Sequence, residues 1–389
     1  MSLEVLWLTN DLPPRTGGVQ QFVVNLLRRV HPTTSVVVGP RSGPAAAAAD
    51  AREPYRTVRL RGPVLPGPDL RRVVRDIARI RPPEVVVLGA AWPLGAAAGW
   101  LRRRLEVPVV ALTHGFEAGM PGVGLGPLVA LVTRELAAAT TISRFTASRL
   151  AGSLASERVR SLPPGVDAAR FHPGVDGTGL RTELDLPPDA QVVGCISRLV
   201  PRKGQDLLLE VWPEVQRRHP RAWLLLVGEG PSEARLRRQA RALGPRAQVR
   251  LAGALAWDRL PEAYAACDVF AMPCRTRWGG LDVEGLGIVY LEALASGIPI
   301  VVGRSGGAPE TVLDPRVGTV VDGRDPAALV AALDHWLGDP GARQVAGSVG
   351  RDLAVAQVGW DAIAADLAAL LDEVVAAAPF TARGSGTRS

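Results

Sequence analysis

The sequence predicts an α/β chain built from two parallel-sheet domains. Short β-branched runs alternate with helix-length amphipathic segments along most of its 389 residues, the pattern of strands joined by helical crossovers. A stretch rich in proline and glycine, Pro163-Pro164-Gly165-Val166-Asp167 through Phe171-His172-Pro173-Gly174, falls near the middle and stops regular structure. The strand candidates also outnumber the eight that a single (β/α) barrel uses.

In the first half the strands are expected at 3–8, 35–38, 84–88, 107–112, 138–142 and 159–162, each a short apolar run closed by turn residues. Helices are expected at 19–30 and 69–81. The second half repeats the pattern at 191–197, 222–227, 247–252, 267–272, 298–302 and 318–321, and a helix candidate follows at 360–378. Each half can therefore form its own sheet. The boundary is placed at 172, which gives domains 1–172 and 173–358, a terminal helix 359–378 able to cross back to the first domain, and a frayed tail 379–389.

A composition of 47% hydrophobic and 21% charged residues excludes a disordered segment. Cys195, Cys267 and Cys274 are too few for a disulfide framework and include no C-x-x-C pair, so a reducing cytoplasm is expected. Leu3-Glu4-Val5-Leu6-Trp7-Leu8 lacks the basic start of a secretory signal. The longest uncharged run, 85–101, is broken by Gly89, Pro93, Gly95 and Gly99, so it reads as strand, turn and helix rather than a membrane span. Residues 1–170 carry 22 Arg against 12 Asp and Glu, net +10; the remainder carries 23 basic against 26 acidic residues. Of the 45 basic residues a single one, Lys203, is lysine. A compact ammonium and a planar guanidinium differ most beside a phosphate, so this lysine is a candidate site residue.

Three loops could carry chemistry. Gly17-Gly18 lies between the first strand and its helix, where backbone amides can approach an anion, although a plain tight turn accounts for it equally well. Arg198 and Lys203 leave the carboxyl end of a strand together in Ile196-Ser197-Arg198-Leu199-Val200-Pro201-Arg202-Lys203-Gly204, where open α/β sheets bind ligands, and two cations there suit a diphosphate. Glu284 and Glu292 flank a helix start near Gly287, with the amides of Ile288 and Val289 between them. Their carboxylates suit hydroxyls of a sugar and a ribose. Glycines at 279, 280, 285 and 287 imply a close approach to this backbone.

The E-x7-E spacing of Glu284 and Glu292, Arg198 and Lys203 upstream, and the Pro13-Pro14-Arg15-Thr16-Gly17-Gly18 loop together resemble the retaining glycosyltransferase family 4, whose GT-B fold has two Rossmann-like parallel-sheet domains facing each other across a cleft. Four longer strings, 10–14, 195–206, 280–292 and 306–311, look like those of its GDP-mannose-dependent members that mannosylate phosphatidylinositol mannosides. The resemblance implies that residues 1–172 bind the acceptor and 173–358 the nucleotide sugar. It implies GDP-mannose held by Gly17, Gly18, Arg198, Lys203, Ile288 and Val289, with Glu292 on the ribose, Glu284 on the mannose and Arg250 at the base. His114, in Thr113-His114-Gly115, would approach the donor sugar, and Asp11 joins His114 and Glu284 as a catalytic candidate. Transfer with retention, without a protein nucleophile or cofactor, follows from the same resemblance; since the chain has no D-x-D and Arg198 and Lys203 can neutralise the diphosphate, no metal is expected. Another nucleotide sugar, a soluble acceptor, an epimerase of the same fold and a noncatalytic nucleotide-binding module remain alternatives.

A lipid acceptor would bring the chain to an anionic membrane surface from the cytoplasmic side. Within 69–81, Leu70, Val73, Val74, Ile77 and Ile80 recur at helical spacing opposite Arg71, Arg72, Arg75 and Arg79. Arg71, Arg72 and Arg75 are the expected headgroup contacts, with Arg102-Arg103-Arg104 as the fallback. The other reading of this helix is an apolar stripe packed on the sheet with solvated arginines. No nucleic acid partner is expected.

Overall fold

The structure is a computed structural model that describes residues 2–15 and 17–378. The chain divides into two compact units. One comprises the chain up to Ile142, Thr146–Pro163 and the described residues from Asp361 onward; the other comprises Ser143–Phe145 and Pro164–Trp360. The division falls at 163/164, ahead of the 172 expected from sequence. Its cause is Phe171, fully buried and edge-on to Tyr264 and Trp257 at 5.5 and 6.0 Å between ring centroids, which packs the linker into the second unit. The terminal helix Trp360–Ala377 counts from Asp361 with the first unit, where Arg29–Asp361 (2.8 Å) and Arg160–Glu373 (2.7 Å) ion pairs join it. The expected tail, 379–389, lies outside the described residues.

The first unit holds strands β1 (Val5–Leu8), β2 (Ser35–Pro40), β3 (Arg56–Leu60), β4 (Val85–Leu88), β5 (Val109–Leu112), β6 (Ala138–Thr141) and β7 (Val159–Ser161). They form one parallel sheet in the order β3-β2-β1-β4-β5-β6-β7. β1, β4 and β5 are buried throughout. Helices cover both faces of such a sheet, so its central strands read as unbroken runs such as Val85-Val86-Val87-Leu88. β3 was not expected from sequence. It is an edge strand, half-exposed, and its arginines hide the alternation; Arg59 is tied to Asp50 at 2.6 Å.

The second unit holds β8 (Gln191–Ile196), β9 (Ala222–Val227), β10 (Val249–Gly253), β11 (Val269–Met272), β12 (Ile300–Gly303) and β13 (Gly318–Val321), parallel in the order β10-β9-β8-β11-β12-β13. In each sheet the order reverses once, between β1 and β4 and between β8 and β11. Loops leaving the carboxyl ends of those two strands turn to opposite sides and leave a crevice, the usual ligand position of an open α/β sheet.

The helix Pro68–Ile80 packs Leu70 and Val74 into the core, with Val73 and Ile77 against it, and leaves Arg71, Arg72, Arg75 and Arg79 off that face. Arg72 pairs with Asp69 at 3.7 Å and Arg79 with Asp76 at 3.3 Å. Its apolar stripe is thus occupied by the protein's own core except at its end, where Ile80 is 77% exposed.

Candidate active site

In the second unit the crevice between β8 and β11 is built from two loops. After β8 the chain passes Arg198 into a single 3-10 turn, Pro201–Lys203, and then the helix Gln205–Arg218. Gly204 between them has φ +83°, and a Cβ there would stand 2.2 Å from the Pro273 carbonyl oxygen. Glycine is required because the loop after β11 passes against this backbone. The Arg275 amide donates to the Arg202 carbonyl at 2.8 Å and locks the two loops together.

This closure brings together charges far apart in sequence. Lys203 Nζ is 2.8 Å from Glu284 Oε2, Arg202 Nε is 3.4 Å from the same oxygen, and Arg202 Nη1 is 3.3 Å from Asp282 Oδ1. Asp282 also meets Arg277 at 3.4 Å. Burial by itself would raise the Glu284 carboxyl; Lys203 and Arg202 outweigh it and hold the group below the ordinary carboxylate range. Glu284 is therefore ionised at neutral pH inside the protein. Sequence reasoning singled out Lys203 and Glu284 but not Arg202, the second cation on that carboxylate.

Glu284 is held by its backbone. Its amide donates to Ser305 Oγ at 3.2 Å, and its carbonyl accepts from the Gly307 amide at 3.0 Å. A Cβ on Gly306 (φ +55°) would lie 2.0 Å from the Glu284 carbonyl oxygen, and one on Gly307 would lie 2.3 Å from that of Gly285. Part of the close approach that the glycines around Glu284 implied is thus made by the protein itself, through Gly306-Gly307. Trp278, in the same loop, adopts φ +49° without being glycine and is 66% exposed, with the Arg277 guanidinium over its ring at 4.8 Å.

Glu292 lies within the helix Ile288–Ala295 and is buried, accepting the Tyr264 hydroxyl at 2.6 Å. Burial pushes its carboxyl up to about 7, against the opposing effects of that hydrogen bond and of Arg170. The two glutamates of the E-x7-E spacing therefore have opposite electrostatic environments. The half-buried amides of Ile288 and Val289 precede the first helical hydrogen bond, Tyr290 N–H to the Gly287 carbonyl at 3.1 Å. Arg198 is exposed, and among the described residues its guanidinium has no ion-pair partner. Gly228 and Gly230 brace its loop: a Cβ at either would strike the Ser197 or Leu199 carbonyl. Arg250 is at the amino end of β10, donating to the Leu184 carbonyl at 2.8 Å with its guanidinium over Trp223. That is the end of the strand opposite the carboxyl edge, and the base contact expected of Arg250 gains no support.

In the first unit the equivalent crevice lies beyond β1 and β4. His114, buried, follows β5, and its Nε2 is 2.8 Å from the Gly89 carbonyl at the end of β4. A carbonyl only accepts, so Nε2 donates its proton in this contact. Glu117, missed in the sequence, accepts the His114 and Trp92 amides, both at 3.1 Å, and fixes the backbone on either side. Phe22 packs against the imidazole at 5.8 Å between centroids. Asp11 accepts from Gln20 Nε2 at 2.6 Å; burial raises its carboxyl, opposed by His114 and Arg15. Gly17 (φ +154°) permits this contact, since a Cβ there would lie 2.4 Å from Gln20 Oε1, and Gly18 opens the helix Gly18–Leu27.

The family model for Glycosyltransferase Family 4 matches residues 16–170, and that for Glycosyl transferases group 1 matches 178–352. Over 94% of this chain and 98% of the relative, it is 42% identical to the GDP-mannose-dependent alpha-(1-6)-phosphatidylinositol monomannoside mannosyltransferase of Mycolicibacterium smegmatis. The chain belongs to glycosyltransferase family 4. A Corynebacterium glutamicum family member, the GDP-mannose-dependent monoacylated alpha-(1-6)-phosphatidylinositol monomannoside mannosyltransferase, is 39% identical over 92% of this chain and 95% of its own. A D-inositol 3-phosphate glycosyltransferase of Segniliparus rotundus is 33% identical over 71% and 63%. Among solved structures, Anabaena Alr3699/HepE in complex with UDP superposes with TM-score 0.80 at 20% identity, covering 95% of this chain and all of that one. Sucrose-phosphate synthase from Thermosynechococcus elongatus gives 0.79 at 21% identity, over 96% and 100%. The fold is the GT-B fold of the family, and the enzyme is a glycosyltransferase.

Proposed function

We propose that this glycosyltransferase moves mannose from GDP-mannose to a phosphatidylinositol mannoside, adding the second mannose at the inositol 6-position with retention at the anomeric carbon. The observation that carries the reading is near-full-length identity of 42% with an enzyme named for that donor and acceptor. The charged crevice of the second unit supports it. Arg198 offers an unpaired guanidinium fork, and Lys203 has two ammonium hydrogens beyond the one facing Glu284, so both can meet a diphosphate. Ionised Glu284 accepts sugar hydroxyls, and Glu292 a ribose hydroxyl. The amides of Ile288 and Val289 complete the phosphate cradle of this unit, and Gly17 and Gly18 are proposed as further donor contacts.

Retention is proposed through attack on the face that the diphosphate leaves. The bond from the anomeric carbon to the β-phosphate oxygen breaks, the acceptor oxygen bonds to that carbon, and its proton passes to the departing phosphate. Arg198 and Lys203 stabilise the charge that develops there, which is why no divalent metal is invoked. His114 and Asp11 are proposed to orient the sugar. The enzyme is proposed to work as a peripheral protein on the cytoplasmic face of the plasma membrane; among the described residues no helix is long and apolar enough to cross a membrane.

Incubation with GDP-mannose and phosphatidylinositol mannoside, with mass spectrometry of the lipid, is the test. A gain of one hexose, unaffected by chelator, is expected. The second reading is a soluble inositol phosphate acceptor, favoured by the Segniliparus relative; product formed only with that acceptor would establish it. Free sugar released without acceptor would indicate an epimerase instead.

A further inference from the structure

Ten large apolar side chains are more than a third exposed among the described residues, and five of them fall within one stretch of the first unit: Phe116, Val123, Leu125, Leu128 and Leu131. Scattered exposed apolar residues are ordinary, whereas a contiguous group marks a surface that is covered in use. The stretch starts two residues beyond His114 and carries no charge from Ala118 to Thr133. Its helix Gly126–Thr133 turns Val129 and Val132 inward, yet Leu128 and Leu131 on the other side are also apolar. A water-facing helix that is apolar all round lacks the polar face that solvent requires.

The borders of this surface are basic. Arg134 continues the outward face of the helix, at one turn from Leu131, and is exposed. The helix Ala98–Leu105 adjoins it: a Cβ on Gly95, just before that helix, would strike the Val132 carbonyl at 2.4 Å, and Arg102 pairs with Glu135 at 2.8 Å. Arg102, Arg103 and Arg104 are all exposed. An apolar strip bordered by arginines matches the boundary between acyl chains and phosphate headgroups, where aliphatic groups enter and guanidinium groups bind phosphate.

We infer that the segment Phe116–Leu131, with Arg103, Arg104 and Arg134 at its rim, docks this enzyme on an anionic phospholipid bilayer. The inference rests on the lipid acceptor proposed above and moves the docking face away from Arg71, Arg72 and Arg75, whose helix packs most of its apolar stripe on the core and leaves only Ile80 exposed. The surface continues directly from His114, so a lipid lifted from the bilayer meets the site residue of the same unit.

The test uses the full chain on vesicles of phosphatidylinositol and phosphatidylcholine. Leu128→Ser/Leu131→Ser should lower vesicle partitioning by roughly tenfold or more; GDP affinity by calorimetry should not change. Arg103→Glu/Arg104→Glu should lose binding mainly at low salt. As an independent reading, Leu128→Cys can be labelled with an environment-sensitive fluorophore, because the three native cysteines are buried. A blue shift on anionic vesicles is expected, and no shift on phosphatidylcholine alone. Unchanged flotation of the Leu128/Leu131 variant, or an unshifted label, overturns the inference. So does a parent dimer that the variant converts to monomer with flotation intact, since the face would then join two copies. Flotation without mannosylation of any lipid leaves the docking face standing and removes the proposed function; mannosylation of detergent-dispersed lipid without flotation does the reverse.

Discussion

Lys203 and Glu284 stand 2.8 Å apart, ammonium to carboxylate, with neither side chain more than 10% exposed. The one lysine of the chain is thus paired with the acid expected to hold the sugar. Removing a single partner of a buried pair strands the other charge; with Arg202 still at 3.4 Å, Lys203→Met should cost roughly 2–3 kcal/mol in urea unfolding. The double variant Lys203→Met/Glu284→Gln should recover part of that. Additivity of the two single changes to within about 0.5 kcal/mol would show the pair to be uncoupled. Lys203→Arg keeps the charge but needs more room, and kcat/KM should fall by roughly tenfold or more; parent-like kinetics would make the lysine incidental.

The two glutamates should give opposite pH dependences. Glu284 has a depressed carboxyl, so its stabilising contribution is present above the unfolded value near 4.5 and is lost as pH falls through its lower folded value. Glu292 is raised to about 7, so its contribution is present below 4.5 and is lost as pH rises through 7. The loss is on the order of 3 kcal/mol. Glu292→Gln should therefore unfold at higher urea than the parent at pH 8 and show a flatter profile between pH 5 and 8. The same variant should weaken GDP in calorimetry, while Glu284→Gln should chiefly weaken the donor sugar. Equal GDP affinities would refute that division.

Glu117 should behave as a positioning residue for His114. Glu117→Ala frees the His114 and Trp92 amides in a buried place, at about 1–3 kcal/mol, and should lower kcat more than it raises KM. Glu117→Gln retains an acceptor and should restore much of the rate. Equal rates for the two variants would reduce Glu117 to a cap without influence on the imidazole.

Gly306→Ala places a methyl group 2.0 Å from the Glu284 carbonyl at φ +55°. The loop must move, and Glu284 with it. Transfer should nearly vanish while far-ultraviolet circular dichroism stays unchanged; an active alanine variant would show that Glu284 is not held by this contact.

The central strands were legible because burial on both faces leaves runs such as Val109-Val110-Ala111-Leu112 that nothing else explains. β3 was not, since an edge strand may carry Arg56 and Arg59 without cost and then resembles a loop. At the site, residue chemistry pointed to Lys203, Glu284 and Glu292. Their pairing did not follow, because it depends on how β8 and β11 lie side by side, which no local spacing encodes. The glycines showed where backbone comes close, but not that Gly306-Gly307 would be one of the neighbours. Arg202 was hidden by abundance: among so many arginines nothing local distinguishes the one that reaches Glu284.

The solitary lysine also makes the enzyme its own spectroscopic reporter. Uniform incorporation of isotopically labelled lysine introduces one side-chain amine signal and one amide signal for the entire polypeptide, both from the turn that faces Glu284. Ligand titrations, proton exchange at the ammonium and its response to pH can then be followed without substituting any residue and without resonance assignment, a simplification that arginine-rich coding has left in place at the most informative position of the chain.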